Sequence, residues 1–219
     1  MNEKYELTEE FKEIETLREG WLQKIKVYRI RALRAFADVK IGDLGGFVET
    51  KQNLSNMGNA WVYGNAEVCD NAEVYDNARV CDNAEVYGNA WVCGDAWVYG
   101  DARVYGDARV YGDARVYGDA KVYGNAEVCG DAKVCDNANI FWCSSIGSRH
   151  ATTTMFRNKD NGITVTCGCF MGTLEEFAAI VEKEHGENIF GKEYKLLIEL
   201  AKIHFGLQDE TKGEEENGI

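Results

Sequence analysis

Ala102-Arg103-Val104-Tyr105-Gly106-Asp107 is one copy of a six-residue phrase that fills the middle of this chain. The phrase, Ala-x-Val-(Tyr/Cys)-(Gly/Asp)-(Asn/Asp), recurs fourteen times without an insertion from Ala60 to Cys143, and residues 144–149 form a degraded fifteenth copy. Ala-x-Val alternates its side chains between two sides as a short strand does, and Gly/Asp followed by Asn/Asp is a turn sequence. Because each copy is too short to bury its own apolar side, the copies must stack on one another as a solenoid.

Three strand-and-turn units make a triangular coil of eighteen residues, so fifteen units predict about five coils. Val62, Val68, Val74 and their equivalents, alternating with alanine, are expected to fill the interior. Outward side chains eighteen residues apart are expected to stack on three faces. The predicted first face carries Trp61, Arg79, Trp97, Arg115 and Lys133, the second Glu67, Glu85, Arg103, Lys121 and Asn139, and the third Glu73, Trp91, Arg109, Glu127 and Ser145.

Composition limits the function classes. Thirty-seven acidic against 24 basic residues give a net charge of −13, which argues against unspecific nucleic-acid binding. The sequence has no long apolar run and no signal peptide at its start, so we expect no membrane association and a cytoplasmic location. Five of the eight cysteines occupy the Tyr/Cys position of the repeat, which indicates packing rather than a disulfide framework. These five are Cys69, Cys81, Cys93, Cys129 and Cys135.

The flanking segments are expected to cover the ends of the solenoid, because unpaired strand edges favour aggregation. We predict an N-terminal β cap over residues 1–59, the repeat over 60–149, a C-terminal α+β cap over 150–206 and a disordered acidic tail over 207–219. The N-terminal cap contains a basic strand over residues 24–31, which either cradles an anion or neutralises nearby acids. The C-terminal cap contains a β-hairpin over 152–170 and two helices, the first opened by the capping box Thr173-Leu174-Glu175-Glu176.

The repeat resembles that of the hexapeptide-repeat proteins, which implies a left-handed parallel β-helix. The head, with Gly42-Asp43-Leu44-Gly45-Gly46-Phe47-Val48-Glu49, and the tail, with Cys167-Gly168-Cys169-Phe170, are similar to hexapeptide-repeat proteins of bacteriophages and gut bacteria. The predicted fold is therefore mainly β: a left-handed parallel β-helix of about five triangular coils, with an N-terminal β cap and a C-terminal β-hairpin plus two-helix cap. The resemblance implies a phage origin but carries no settled activity.

The first face alternates indole and guanidinium groups, a spacing suited to cation–π stacking. Large outward aromatics indicate a covered surface, and the resemblance implies a homo-oligomer, which we expect to be a trimer. The alternative is a solvated ladder that packs only on itself. The predicted interface consists of Trp61, Arg79, Trp97, Arg115, Tyr99 and Tyr117. Stacked corner carboxylates (Asp95, Asp113, Asp131) suggest calcium, but basic neighbours balance them, so we expect neither a metal nor a cofactor.

Basic and hydroxyl side chains gather in the sequence where the repeat meets the C-terminal cap. They predict a site for a small anionic ligand, such as a nucleotide defence signal, on Arg149, His150, Thr152, Thr154, Arg157 and Lys159. The first alternative is a scaffold that binds a host or virion protein through its aromatic walls. The second is an acyltransferase-like enzyme, for which only His150 is a candidate base, and we assign no catalytic residue. Cys167 and Cys169 are expected to belong to the apolar core rather than to a zinc site.

Overall fold

A long β-hairpin opens the chain in this computed structural model, which describes residues 3–18 and 20–207. Strands β1 (Tyr5–Arg18) and β2 (Trp21–Ala32) pair antiparallel along their length, so the predicted basic strand is one half of a hairpin. Strand β3 (Leu44–Val48) pairs antiparallel with β2 and parallel with the first coil, and a short 3₁₀ helix (Lys51–Asn53) follows it. The hairpin is thereby joined to one face of the solenoid as additional strands of the same sheet.

The body of the molecule is built from thirteen strands of two residues each. They are β4 (Trp61–Val62), β5 (Glu67–Val68), β6 (Glu73–Val74), β7 (Arg79–Val80), β8 (Glu85–Val86), β9 (Trp91–Val92), β10 (Trp97–Val98), β11 (Arg103–Val104), β12 (Arg109–Val110), β13 (Arg115–Val116), β14 (Lys121–Val122), β15 (Glu127–Val128) and β16 (Lys133–Val134).

These strands form three parallel sheets in the predicted register. Trp97 lies beside Arg79 on one side and Arg115 on the other, each eighteen residues away. The backbone N–H of Trp97 donates to the carbonyl of Ala114 in the next coil at 2.9 Å. The prediction of a mainly β solenoid of about five turns is confirmed.

The interior of the solenoid is a contiguous apolar column. The repeat alanines and valines from Ala60 to Val134 are completely buried, as Val104 illustrates with an exposure of 0%. Burial of this contiguous core is the main stabilising contribution, since no coil could bury its apolar side alone.

The solenoid ends two coil sides earlier than the sequence predicts, after β16. The expectation that Asn139 and Ser145 continue the second and third faces is wrong. Asn139 ends a 3₁₀ helix (Asn137–Asn139), and Ser145 lies in strand β17 (Ile140–Ile146), which leaves the solenoid. The reason is the turn chemistry: Trp142 and Cys143 stand where the other copies have Gly/Asp and Asn/Asp, and these side chains disfavour the left-handed corner.

The C-terminal cap is a four-stranded antiparallel sheet covered by two helices. Strand β17 pairs with β18 (Ala151–Arg157), followed by β19 (Ile163–Cys167) and β20 (Phe170–Thr173). The predicted hairpin is thus confirmed as the centre of a larger sheet. Helices α1 (Leu174–His185) and α2 (Ile189–His204) follow, and they share an apolar core with the sheet.

The capping box at the start of α1 is confirmed. The Thr173 hydroxyl accepts from the Glu176 N–H at 3.2 Å, and the Glu176 carboxylate accepts from the Thr173 N–H at 2.8 Å. The predicted disordered tail lies outside the described residues, apart from Leu207. Neither helix of the described ranges has the length and apolarity that a bilayer crossing requires.

Candidate functional site

The cationic residues predicted to bind an anion lie at opposite ends of β18. Arg149 and His150 are exposed in the turn between β17 and β18, whereas Arg157 closes the strand and Lys159 follows it. Seven residues of extended chain separate His150 from Arg157, which corresponds to about 23 Å. The structure therefore does not bring the two pairs of cations around one small molecule.

Several of these side chains instead fasten the cap to the solenoid or to itself. The Thr154 hydroxyl accepts from the Glu127 N–H of the last coil at 3.1 Å, and Thr152 pairs with Ser144 at 2.9 Å. The Lys159 ammonium lies 2.9 Å from the carboxylate of Asp131. Their role in ligand binding stays a prediction, and the contacts seen here give them a structural task.

Arg157 has a similar structural role at the end of α2. One guanidinium nitrogen donates to the carbonyl of Phe205 at 2.7 Å, and the other donates to the carbonyl of Asn161 at 3.0 Å. The first bond satisfies a carbonyl at the carboxyl end of the helix, where a cation is favourable. Arg157 thus links the β18–β19 turn to α2.

A cavity of about 480 Å³ lies at the same junction, on the second face of the solenoid. It exists because the 3₁₀ helix after β16 carries the chain away before another coil can cover β14. Strand β14 is consequently the edge of its sheet, and its outward side chains border open space. The cavity is lined by Tyr105, Lys121, Tyr123, Asn137, Ile140, Phe141, Trp142 and His204.

Stacked tyrosines form one wall of this cavity. Tyr87, Tyr105 and Tyr123 lie parallel in successive coils, with ring centroids 4.9 and 5.0 Å apart. Trp142 meets the last ring edge-on at 4.5 Å, and Tyr123 keeps 41% of its surface exposed. Burial raises the pKa of Tyr87 to about 12, so this phenol is neutral near pH 7. The column therefore ends in an accessible aromatic ring.

Polar groups of the cavity are cationic or neutral. Lys121 is exposed, and no carboxylate among residues 3–18 and 20–207 forms an ion pair with its ammonium group. Its backbone N–H donates to the Asn137 side chain at 3.0 Å, which fixes the rim. His204 also lines the cavity, with its ring 5.3 Å from that of Phe141. This arrangement can attract an anion and stack a flat ring at the same point.

The predicted cation–π ladder of the first face is present in part. The guanidinium carbons of Arg79 and Arg115 lie 5.1 and 5.7 Å from the ring centre of Trp97. Tyr99 and Tyr117 stack beside them at 5.1 Å. Trp97 is 39% exposed, so this part of the face is available to a partner.

Trp61 does not belong to that available surface. It is only 1% exposed, because the N-terminal cap covers it with Tyr5 and Phe36, whose rings lie 6.1 and 5.4 Å away. The repeat pattern correctly predicted the face on which Trp61 lies, but it did not predict that the N-terminal cap covers this residue. In this structure it is a core residue and is removed from the predicted subunit interface.

The third face carries a second aromatic–cation pair, to which sequence reasoning gave no role. Trp91 is 41% exposed, and the Arg109 guanidinium carbon lies 5.0 Å from its ring centre. The two residues are eighteen apart, which is the signal that would have found the pair. The cavity residues Tyr123, Trp142 and His204 were also missed, since only the break in the repeat brings them together.

Of the cysteines at the repeat position, Cys69 and Cys129 are buried as predicted, and the other three are half-buried. The prediction that Cys169 belongs to the apolar core is wrong, because the turn between β19 and β20 leaves it exposed, whereas Cys167 packs against the core of the C-terminal cap. All eight cysteines are free thiols, and Cys69 and Cys129 are buried at 4% and 1% exposure. Burial raises the pKa of Cys81 to about 11, which keeps its thiol protonated near pH 7. Among residues 3–18 and 20–207 no three His, Cys, Asp or Glu side chains converge as metal ligands.

Comparison with known proteins supports the solenoid fold and identifies no function. Residues 78–94, 96–112 and 108–124 match the family model described as YdcK Beta solenoid repeat. The matched coils lie within strands β7 to β14 and exclude both caps, so the similarity is one of repeat units. No protein with a curated description is significantly similar to this chain.

Proposed function

We propose that this protein is a non-enzymatic binding protein that holds a small anionic ligand with a flat ring, such as a nucleotide, in the cavity above β14. The observation that carries the proposal is the exposed end of the tyrosine column beside the Lys121 ammonium. The site stays at the predicted junction of solenoid and C-terminal cap, but it uses different residues.

The cavity has the size and chemistry for such a ligand. Its volume of about 480 Å³ is within the range of about 300–1,000 Å³ that is common for small-molecule sites. A base stacked on an aromatic side chain contributes about 1–3 kcal/mol. Lys121 supplies a positive charge for a phosphate, and His204 adds a hydrogen-bonding group to the lining.

Calorimetry with the full chain tests the proposal. A panel of nucleoside phosphates, cyclic nucleotides and inorganic phosphate is titrated into the wild type, Lys121→Glu and Tyr123→Ala. Lys133→Glu makes the same charge change on the first face and Tyr117→Ala shortens the other tyrosine stack, so both controls are expected to keep wild-type affinity. We expect Lys121→Glu and Tyr123→Ala each to weaken binding at least about tenfold, or about 1.4 kcal/mol.

Two results contradict the proposal. One is a wild-type chain that binds none of these compounds at about 1 mM. A dissociation constant of about 1 mM corresponds to a binding free energy of only about 4 kcal/mol. The other is binding that Arg149→Glu abolishes and Lys121→Glu leaves unchanged. The second result would place the ligand on the residues first predicted from the sequence.

The resemblance to phage hexapeptide-repeat proteins suggests a biological role for the proposed ligand binding. A phage protein that sequesters a nucleotide defence signal in the host cytoplasm needs a binding site and no catalytic centre. The family match is to a structural repeat and to no enzyme family, which supports a binding role. Measuring nucleotide released from protein purified under native conditions and then denatured tests this extension directly.

A second candidate function is a scaffold, favoured by the exposed Trp91 and Trp97 and their arginine partners. Exposed aromatic surface with flanking arginine is typical of protein interfaces. On this proposal the faces bind a host protein or assemble the predicted trimer. Trp97→Ala is expected to abolish that association, whereas Glu175→Ala, at an exposed residue of α1, is expected to leave it intact.

A further inference from the structure

Helix α2 is apolar on two opposite sides. Its inner side packs against α1 and the cap sheet through Tyr194, Leu197, Ile198 and Ala201, all buried. Its outer side carries four large aliphatic residues that the fold leaves exposed. Their exposed fractions are 68% for Ile189, 73% for Leu196, 51% for Leu200 and 67% for Ile203.

These four side chains form a stripe along one side of the helix. At about 100° per residue they lie within about 60° of the helix circumference, along roughly 21 Å of its axis. Scattered exposed apolar residues are normal on a protein surface, but an ordered stripe of this kind indicates a contact surface. The twelve residues after Leu207 have one aliphatic side chain and five acids, so they are unsuited to cover it.

The charges beside the stripe favour a second copy of the same helix. Lys192 and Glu199 lie on the same edge, about 20° apart around the axis. If two α2 helices pack antiparallel about a two-fold axis at Leu196, Ile189 faces Ile203 of the other copy. Lys192 then lies within about 1.5 Å, along the axis, of the level of Glu199 of the other copy, and the symmetry repeats this pair.

A parallel arrangement is less favourable. It would set Lys192 against Glu193, whose carboxylate already accepts from the Gly147 N–H at 3.0 Å. In the antiparallel arrangement the like charges of Glu199 lie about 9 Å apart along the axis, far enough to be largely screened. We propose that α2 is a homotypic contact in which two copies of this chain associate through antiparallel α2 helices.

This contact is distinct from the aromatic faces and from ligand binding. The stripe is small compared with standard interfaces, so we expect association in the micromolar range. His204 lines the ligand cavity and follows Ile203 directly in the chain. In the antiparallel arrangement the two His204 residues lie at opposite ends of the helix pair, about 24 Å apart along the axis, so the two ligand cavities stay separate.

Sedimentation velocity of the full chain, over about 1–200 µM, tests the contact. We expect Leu196→Glu/Leu200→Glu to reduce the limiting mass by half, whether or not the first face also assembles. Both side chains are exposed, so circular dichroism is expected to show an unchanged fold. Ile41→Glu, at a residue 70% exposed in the N-terminal cap, is the matched control and is expected to retain the wild-type mass.

Charge exchange identifies the orientation. Lys192→Glu is expected to raise the dissociation constant about tenfold at low salt, and Lys192→Glu/Glu199→Lys is expected to restore it. Glu199 also lies 2.8 Å from Lys202 within its own helix, so the single variant Glu199→Lys is measured alongside.

Three outcomes overturn the proposal. They are a wild-type mass of one chain at 200 µM, a wild-type mass that Leu196→Glu/Leu200→Glu does not change, and rescue of Lys192→Glu by Glu193→Lys instead of Glu199→Lys. The outcome of the sedimentation experiments is independent of the nucleotide titrations, because nucleotide binding is proposed to depend on Lys121 and Tyr123.

Discussion

Replacement of Gly106 by alanine tests how the coils stack at their corners. Gly106 has a φ of 73°, and a Cβ atom built on it would lie 3.0 Å from the backbone nitrogen of Gly124 in the next coil. Three corners of the lower coils have aspartate at the equivalent position, with φ between 58° and 60°. These are Asp70, Asp76 and Asp82, and each carboxylate accepts from a glycine N–H of the next coil.

The expected magnitudes follow from these contacts. A left-handed backbone costs an alanine about 1–2 kcal/mol, and the close backbone contact adds to it, so we expect Gly106→Ala to lose about 2–3 kcal/mol of unfolding free energy. Gly106→Asp meets the same contact but gains a hydrogen bond like that of Asp82 to the Gly100 N–H, at 3.1 Å. That bond is expected to recover about 1 kcal/mol, and aspartate tolerates the left-handed region better than alanine does.

Urea unfolding followed by circular dichroism provides the measurement, with midpoints compared at constant slope. Gly42→Ala is the control, because Gly42 has a φ of 88° and no atom within 4 Å of the built Cβ. The control reports the backbone cost without a contact between coils. The difference between Gly106→Ala and Gly42→Ala therefore measures the stacking contact itself.

Equal losses in Gly106→Ala and Gly42→Ala would show that the coils do not approach as closely as described. A Gly106→Asp variant as unstable as Gly106→Ala would show that the corner hydrogen bond contributes nothing. Either result would refute the explanation given for the Gly and Asp pattern of the corners.

Other predictions concern the cap and the alkaline range. Gly147→Ala is expected to lower the melting temperature and the amide protection of α2, because its Cβ would overlap the Tyr194 hydroxyl. Unchanged hydrogen exchange in α2 would contradict this. Raising the pH from 9 to 12 is expected to lower the melting temperature. Folding raises the pKa of Cys81 from 9.0 to about 11 and that of Tyr87 from 10.0 to about 12. The unfolded chain therefore loses these protons at lower pH than the folded chain does, and the free energy of unfolding falls as the pH rises between the two pKa values of each group. Burial lowers the pKa of Lys4 from 10.5 to about 8, which adds stability as the pH rises across that interval. Lys4→Met is therefore expected to steepen the alkaline loss, and a parallel pH profile would count against it.

Sequence alone determined the body of this protein. A six-residue period with alanine, valine and turn residues at fixed positions predicts short strands that stack on one another every eighteen residues, since this arrangement buries the apolar side of every copy. The pairing of Trp97 with Arg79 and Arg115 could therefore be predicted from position numbers. Burial of the valines follows from the same periodicity, because local and stacking preferences agree in every copy.

Only the tertiary structure decided what happens where the period stops. The β1–β2 hairpin folds over Trp61, and the loss of turn chemistry at Trp142 leaves β14 uncovered beside Tyr123. The cap then places Arg149 and Arg157 at opposite ends of one strand, although they are close in sequence. These outcomes depend on contacts between segments that share no repeat, and a pattern along the chain carries no information about such distances.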